Sequence, residues 1–197
     1  GLSSFGFSGT NCHMILEEYI ESEDQDRTEI NTDPLILTLS ARTEKALQQL
    51  IEQYTECLQS PAMSNRLHEV CYTANTGRSH LHYRVAIVAQ SSTELLSRLT
   101  QLHQQGITAP GIFAGKVELI QTSASKYQGT IDTLFAVEQL AEQYVQGADI
   151  AWQEVYAQKN YRRVPLPTYP FEQKRCWIEA PQQAVSLPLR SQEINSN

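Results

Sequence analysis

Residues 5–15 read FGFSGTNCHMI. Glycines at 6 and 9 let the backbone reach positive φ and let another group approach closely. Thr10, Asn11 and His13 add hydrogen-bonding side chains. That is the composition of part of a site, yet only four residues precede it to supply walls. A second concentration of chemistry is His80-x-His82. Alternation along a strand would put both imidazoles on one face, the beginning of a metal site. No carboxylate or thiol stands at a matching local spacing, so an exposed strand edge is the expectation there. Ser8, Ser91 and Ser123 lack the G-x-S-x-G setting of a nucleophile elbow, and no Gly-Lys-Ser/Thr follows Gly6 and Gly9 to make a phosphate loop. Cys12, Cys57, Cys71 and Cys176 form no C-x-x-C and pair with no histidine at zinc spacing, which reads as four reduced thiols in a cytoplasmic protein.

The chain that must position these groups has 197 residues, 41% of them apolar and 19% charged, with a formal net charge of −7. Its size allows about 70% of the unfolded surface to be buried, so a true core is expected. The acidic balance argues against sequence-independent nucleic-acid binding, which needs clustered Lys and Arg. No apolar run approaches the length of a membrane span, and Gly1–Met14 has neither the basic flank nor the apolar centre of a signal peptide. The first residue is not Met, and the expectation is a fragment of a longer polypeptide.

Residues 19–33 are acidic and poor in large apolar groups, a solvated linker. Pro34 opens the main unit, and LILTL at 35–39 predicts a buried strand. Apolar residues at 46, 47, 50, 51, 54 and 58 predict a helix over 43–59, closed by Ser60-Pro61. A shorter helix follows over 65–75, with Gly77 as its stop, and HYRVAIVA at 82–89 predicts a strand. Ser91 with Glu94 fits a capping box before a helix through Leu95, Leu96, Leu99 and Leu102, which Gly106 ends. Residues 111–117 predict a weaker third strand. The fold class is therefore α/β (α+β): a small three-stranded sheet packed on two to three helices, burying one face. Its expected core is Leu37, Leu47, Leu50, Tyr54, Val70, Val85, Ile87, Leu96 and Leu99. Residues 118–130 read as loop, 133–146 as a helix, and Trp152 to Tyr156 as one more turn in a local helix pair. Residues 164–171 hold three prolines and must be extended. Such a strap stays ordered by laying Leu166, Tyr169, Phe171 and Trp177 against a surface. Arg162-Arg163 and Lys174-Arg175 form a small basic cluster, and 181–197 read as a frayed tail.

GLSSFGFSGTNCHMILEE at 1–18 resembles the C-terminal signature of a polyketide synthase ketosynthase. The resemblance implies that His13 is one of two histidines flanking an active-site cysteine, and that in the complete ketosynthase it is catalytic, donating to the enolate or oxyanion formed during condensation. That cysteine and the other histidine would lie upstream, so the fragment would not condense substrates by itself, and Cys12 is not the nucleophile. RRVPLPTYPFEQKRCWIE at 162–179 resembles the linker that follows the acyltransferase in these synthases, with Cys176-Trp177 in place of Tyr-Trp. The middle, about 34–117, resembles the ketosynthase-to-acyltransferase linker domain through LSAR, YTANTGR and YRVAIVA. The acyltransferase motifs GQGxQ and GHSxGE do not occur, while 133–156 resemble the end of that missing domain. The chain thus divides as 1–18 ketosynthase remnant, 19–33 linker, 34–117 docking domain, 118–161 excision junction, 162–180 strap and 181–197 tail.

The resemblance implies an assembly line served by a separate acyltransferase. Expected partners are the ketosynthase of the same polypeptide, a discrete trans-acting acyltransferase and an acyl carrier protein; no cofactor is expected, since phosphopantetheine would ride on the carrier. The expected function is a non-catalytic docking module for the acyltransferase, through helix 91–105 and the junction at 118–135, with a purely structural brace of the ketosynthase as the alternative. An uncovered apolar patch on the linker domain would favour docking, and its absence bracing.

Overall fold

The computed structural model describes residues 1–18, 33–106, 109–118 and 131–173. The expected acidic linker, the 119–130 loop, Lys174-Arg175, Trp177 and the tail fall outside these residues, apart from Asp33. The chain divides into two units, Gly1–Thr32 and Asp33–Asn197.

In the first unit, β1 (Leu2–Phe5) and β2 (Asn11–Met14) form an antiparallel hairpin in the register Ser3↔His13. The glycine-dense stretch is its turn: Gly6 N donates to Thr10 O at 2.7 Å, and Gly9 takes φ +88°. The opening motif is thus a hairpin rather than a bare loop, because the residues flanking its glycines pair with each other.

The second unit is built on an antiparallel sheet in the order β3 (Leu35–Ala41), β4 (Tyr83–Ala89), β5 (Ile112–Lys116). Thr43 and Ser91 cap helices α1 (Glu44–Leu58) and α4 (Ser92–Gln105) by accepting from Ala46 N and Glu94 N, as their sequence positions demand. Between them run α2 (Pro61–Ser64), with Pro at its first turn, and α3 (Leu67–Gly77). The three-stranded sheet packed on helices agrees with the expected fold class.

Two features differ from expectation. In α4 the buried leucines are Leu95, Leu99 and Leu102, whereas Leu96 is only partly buried. The spacing 95, 99, 102 is the true apolar stripe, and Leu96 lies beside it. The sheet also buries both faces. Odd residues of β3 and β4 (Leu35, Leu37, Leu39, Val85, Ile87) pack on α1, α3 and α4. Even ones (Ile36, Ala86, Val88) pack on α5 (Leu134–Val145) and α6 (Trp152–Val155). The segment resembling an acyltransferase's end is therefore a layer of this fold, and Trp152 and Tyr156 belong to a core shared with β3 and β4 rather than to a local helix pair. Glycines permit that layer. A Cβ on Gly115 would run into the Val145 carbonyl, and one on Gly147, at φ +107°, would meet Val117 at 2.9 Å.

Candidate functional site

The chemistry-bearing side chains of the second unit gather along the outer edge of β3. Asn75 sits on the apolar stripe of α3, one turn after Cys71 and two after Leu67, and is 1% exposed. Its Oδ1 accepts from Thr38 N at 3.1 Å and Thr38 Oγ1 at 2.7 Å, and its Nδ2 donates to Ile36 O at 2.9 Å. The amide thus pairs with β3 as a neighbouring strand would, which seals part of an edge otherwise open to another chain. Nδ2 also donates to Tyr156 Oη at 2.8 Å, tying the edge to α6. Burial first of all drives the Tyr156 hydroxyl well above its usual range.

His80 is not on an exposed strand edge. It precedes β4, half-buried, with its ring against Tyr144 and Trp152. Nε2 lies 3.0 Å from Asn75 O, which can only accept, so Nε2 carries the proton and Nδ1 accepts from Tyr144 Oη at 2.9 Å. Burial lowers its pKa; the Arg84 guanidinium acts in the same sense and Asp149 against it. Burial also pushes Tyr144 up to about 12. His82 donates Nδ1 to Val117 O at 2.9 Å, so the two imidazoles serve separate backbone carbonyls. Among the described residues no group of His, Cys, Asp and Glu stands together to hold a metal ion. Arg84, 2% exposed on the inner face of β4, donates Nη1 to Tyr144 O at 2.9 Å and Ala148 O at 3.1 Å. A guanidinium is thus set against the C-terminal carbonyls of α5, where a cation is favoured.

The strap closes the site from outside. Val164, 5% exposed, joins the core and donates its N–H to Thr73 Oγ1 at 3.0 Å. Leu166 and Tyr169 pack against the same core. Arg78 Nη2 donates to the carbonyls of Leu166 and Pro167, both at 3.2 Å, and Tyr169 Oη accepts from Arg42 N at 3.0 Å. Thr43 Oγ1 bonds the Glu172 carboxylate. Phe171 departs from expectation: its ring meets Tyr169 edge-on, yet it is 82% exposed. Val164 does the anchoring that sequence reasoning gave to Phe171, since a residue between Arg163 and Pro165 gives no pattern to read.

Between strap, α1, α3 and β3 lies a groove of about 800 Å³. Leu39, Leu50, Tyr54 and Ala74 line its apolar floor; Arg42, Arg78 and Glu172 stand on its rim. The Tyr54 hydroxyl is pushed up to about 12 by burial, with Arg78 acting in the opposite sense. On the far side Lys159 Nζ reaches Asp33 Oδ2 at 2.6 Å and Asp132 Oδ1 at 3.5 Å. It thereby ties Asp33, just before β3, to Asp132, just before α5. The backbone N–H of Arg162 donates to Glu69 Oε1 at 3.4 Å, which ties the start of the strap to α3.

His13 lies on the hairpin, exposed, with Nδ1 2.7 Å from Ser3 Oγ across the strand pair. Leu2, Phe5, Phe7, Ile15 and Leu16 are exposed around it.

Residues 35–99 match the protein family described as CurL-like, PKS C-terminal. Polyketide synthase PksN of Bacillus subtilis is 32% identical over 90% of this chain and 4% of its own length. Polyketide synthase PksR of the same organism is 30% identical over 89% of this chain and 7% of its own. Among solved structures, the ketosynthase from module 6 of the bacillaene synthase of Bacillus subtilis superposes with a TM-score of 0.62 and 29% identity. It covers 90% of this chain, and this chain covers 31% of it. The oxazolomycin ketosynthase domain OzmH KS7 of Streptomyces albus gives 0.60 and 29%, covering 89% of this chain and 27% of its own. The chain is a polyketide synthase segment. Within that class it is the C-terminal end of a ketosynthase with its adjoining linker, as the motifs at both ends imply. It spans less than a tenth of the length of these curated relatives.

Proposed function

We propose that this segment is a non-catalytic adaptor that braces a ketosynthase in a polyketide synthase without an in-line acyltransferase. The observation that carries the reading is the seam at Gly115 and Val145. β5 and α5, which would flank an inserted acyltransferase, are packed in one core, with residues 117–133 between them. Acyl loading would then be served from outside the chain. The hairpin supports the same reading: an isolated two-stranded ribbon is marginally stable, and its exposed Leu2, Phe5, Ile15 and Leu16 suit burial against a ketosynthase body.

Recruitment of a discrete acyltransferase is the second reading. Among the described residues of the second unit, the large apolar side chains counted as exposed are Phe135 and Phe171. A calorimetric titration of the chain with the discrete acyltransferase of its own pathway separates the two. Saturable heat at tens of micromolar, about −6 kcal/mol, absent with an in-line acyltransferase, selects recruitment. No heat leaves the brace, which is tested by loosening the linker within the ketosynthase polypeptide.

A further inference from the structure

We infer that the groove beside the strap takes an extended acidic segment of a partner protein as an added strand on the outer edge of β3. In the antiparallel pairing of β3 with β4, residues alternate between facing the partner strand and facing away. Thr38 N and Ile36 O bond Asn75, and Arg42 N bonds Tyr169, so the even positions face outward. Thr38 C=O and both backbone groups of Ser40 therefore also point away from β4. They have no backbone partner among the described residues. Ser40 Oγ is occupied separately, donating to Ser79 O and accepting from Leu81 N.

Asn75 and Tyr169 thus bracket one open position, and the groove lies over it. A short extended peptide can place its backbone against Ser40 and one apolar side chain on Leu39, Leu50, Tyr54 and Ala74. Strand addition of this kind takes affinity from main-chain bonds and selectivity from the alternate side chains. Charge selects the occupant. Arg42 and Arg78 line the groove of a chain whose net charge is −7, Arg78 while donating to the Leu166 and Pro167 carbonyls, and they are opposed there by Glu172, which is bonded to Thr43. The flanking residues of the guest are accordingly carboxylates. This site is independent of the bracing role and of acyltransferase recruitment.

The test uses the full isotope-labelled chain, titrated with acetyl-Glu-Leu-Thr-Val-Glu-amide and followed by nuclear magnetic resonance. Saturable shifts at Thr38, Ser40 and Tyr54 are expected, with Overhauser contacts between the Ser40 amide and the peptide backbone. Arg42→Glu, at an exposed side chain, weakens binding about 5-fold, and the same peptide with Lys for both Glu fails to bind. Three results overturn the inference. One is no shift at millimolar peptide. Another is equal binding of the Lys peptide. The third is contact between the Ser40 amide of the free chain and residues 174–197, in the same or a second copy, which would make the chain its own occupant.

Discussion

Asn75 Oδ1 accepts both the backbone N–H and the hydroxyl of Thr38, at 3.1 and 2.7 Å, so one side-chain oxygen stands where a strand carbonyl would. Removing it strands buried groups on β3, on Ile36 O and on Tyr156. Asn75→Ala should destabilise the second unit by about 3 kcal/mol, since each orphaned buried group costs about 1–3 kcal/mol. The urea midpoint should fall with an unchanged slope. Asn75→Asp should be at least as harmful, because it also loses both donors and introduces a buried charge.

The seam between β5 and α5 predicts intolerance at a residue that looks dispensable. Gly115→Val puts a side chain into the Val145 carbonyl, which is backbone and can yield only by moving α5. A loss of about 2 kcal/mol is expected, with a blue-to-red shift of Trp152 fluorescence as the second core opens. Unchanged stability would mean that α5 is not seated as described.

The strap gives a paired prediction. Tyr169→Phe keeps the ring and removes the acceptor for Arg42 N, and should cost about 1 kcal/mol. Phe171→Ala, at a side chain 82% exposed, should stay within about 0.5 kcal/mol of the parent. Chemical unfolding of the two variants side by side checks the contrast.

His80 supplies a pH dependence. Its folded pKa lies below the unfolded value of about 6.5. The unfolded chain then binds more protons, so this contribution is intact above about 6.5 and is lost as pH falls toward the folded value. Melting temperatures from pH 8 to pH 5 should fall more steeply for the parent than for His80→Gln. Tyr54 and Tyr144 act at the other end: with folded values raised to about 12, their contribution is present below about 10 and is lost as pH rises beyond it.

The strands of the three-stranded sheet and the longer helices were legible because their periods are plain: 46, 47, 50, 51, 54 and 58 on α1, or the unbroken apolar run of β3. The second face of the sheet was not. Ile36, Ala86 and Val88 alternate with residues already assigned to a core, so nothing local says that their face is covered as well. Its cover comes from α5 and α6, far along the chain, and that is a tertiary fact. The buried polar residues escaped for a related reason. Asn75 and Arg84 were passed over as ordinary polar residues, yet each stands on an apolar stripe, Asn75 at four and eight residues from Cys71 and Leu67. A polar side chain at such a position signals a buried hydrogen-bonded hub. The family motifs at both ends were legible because they are specific, and the site they frame was not, because the groove exists only once the strap lies across β3.

The most direct measurement of the brace is differential scanning calorimetry of the ketosynthase-bearing polypeptide, parent against Gly115→Val. If the linker braces the ketosynthase, loosening α5 lowers the ketosynthase transition together with that of the linker. A ketosynthase transition left in place while the linker melts earlier by itself would contradict it.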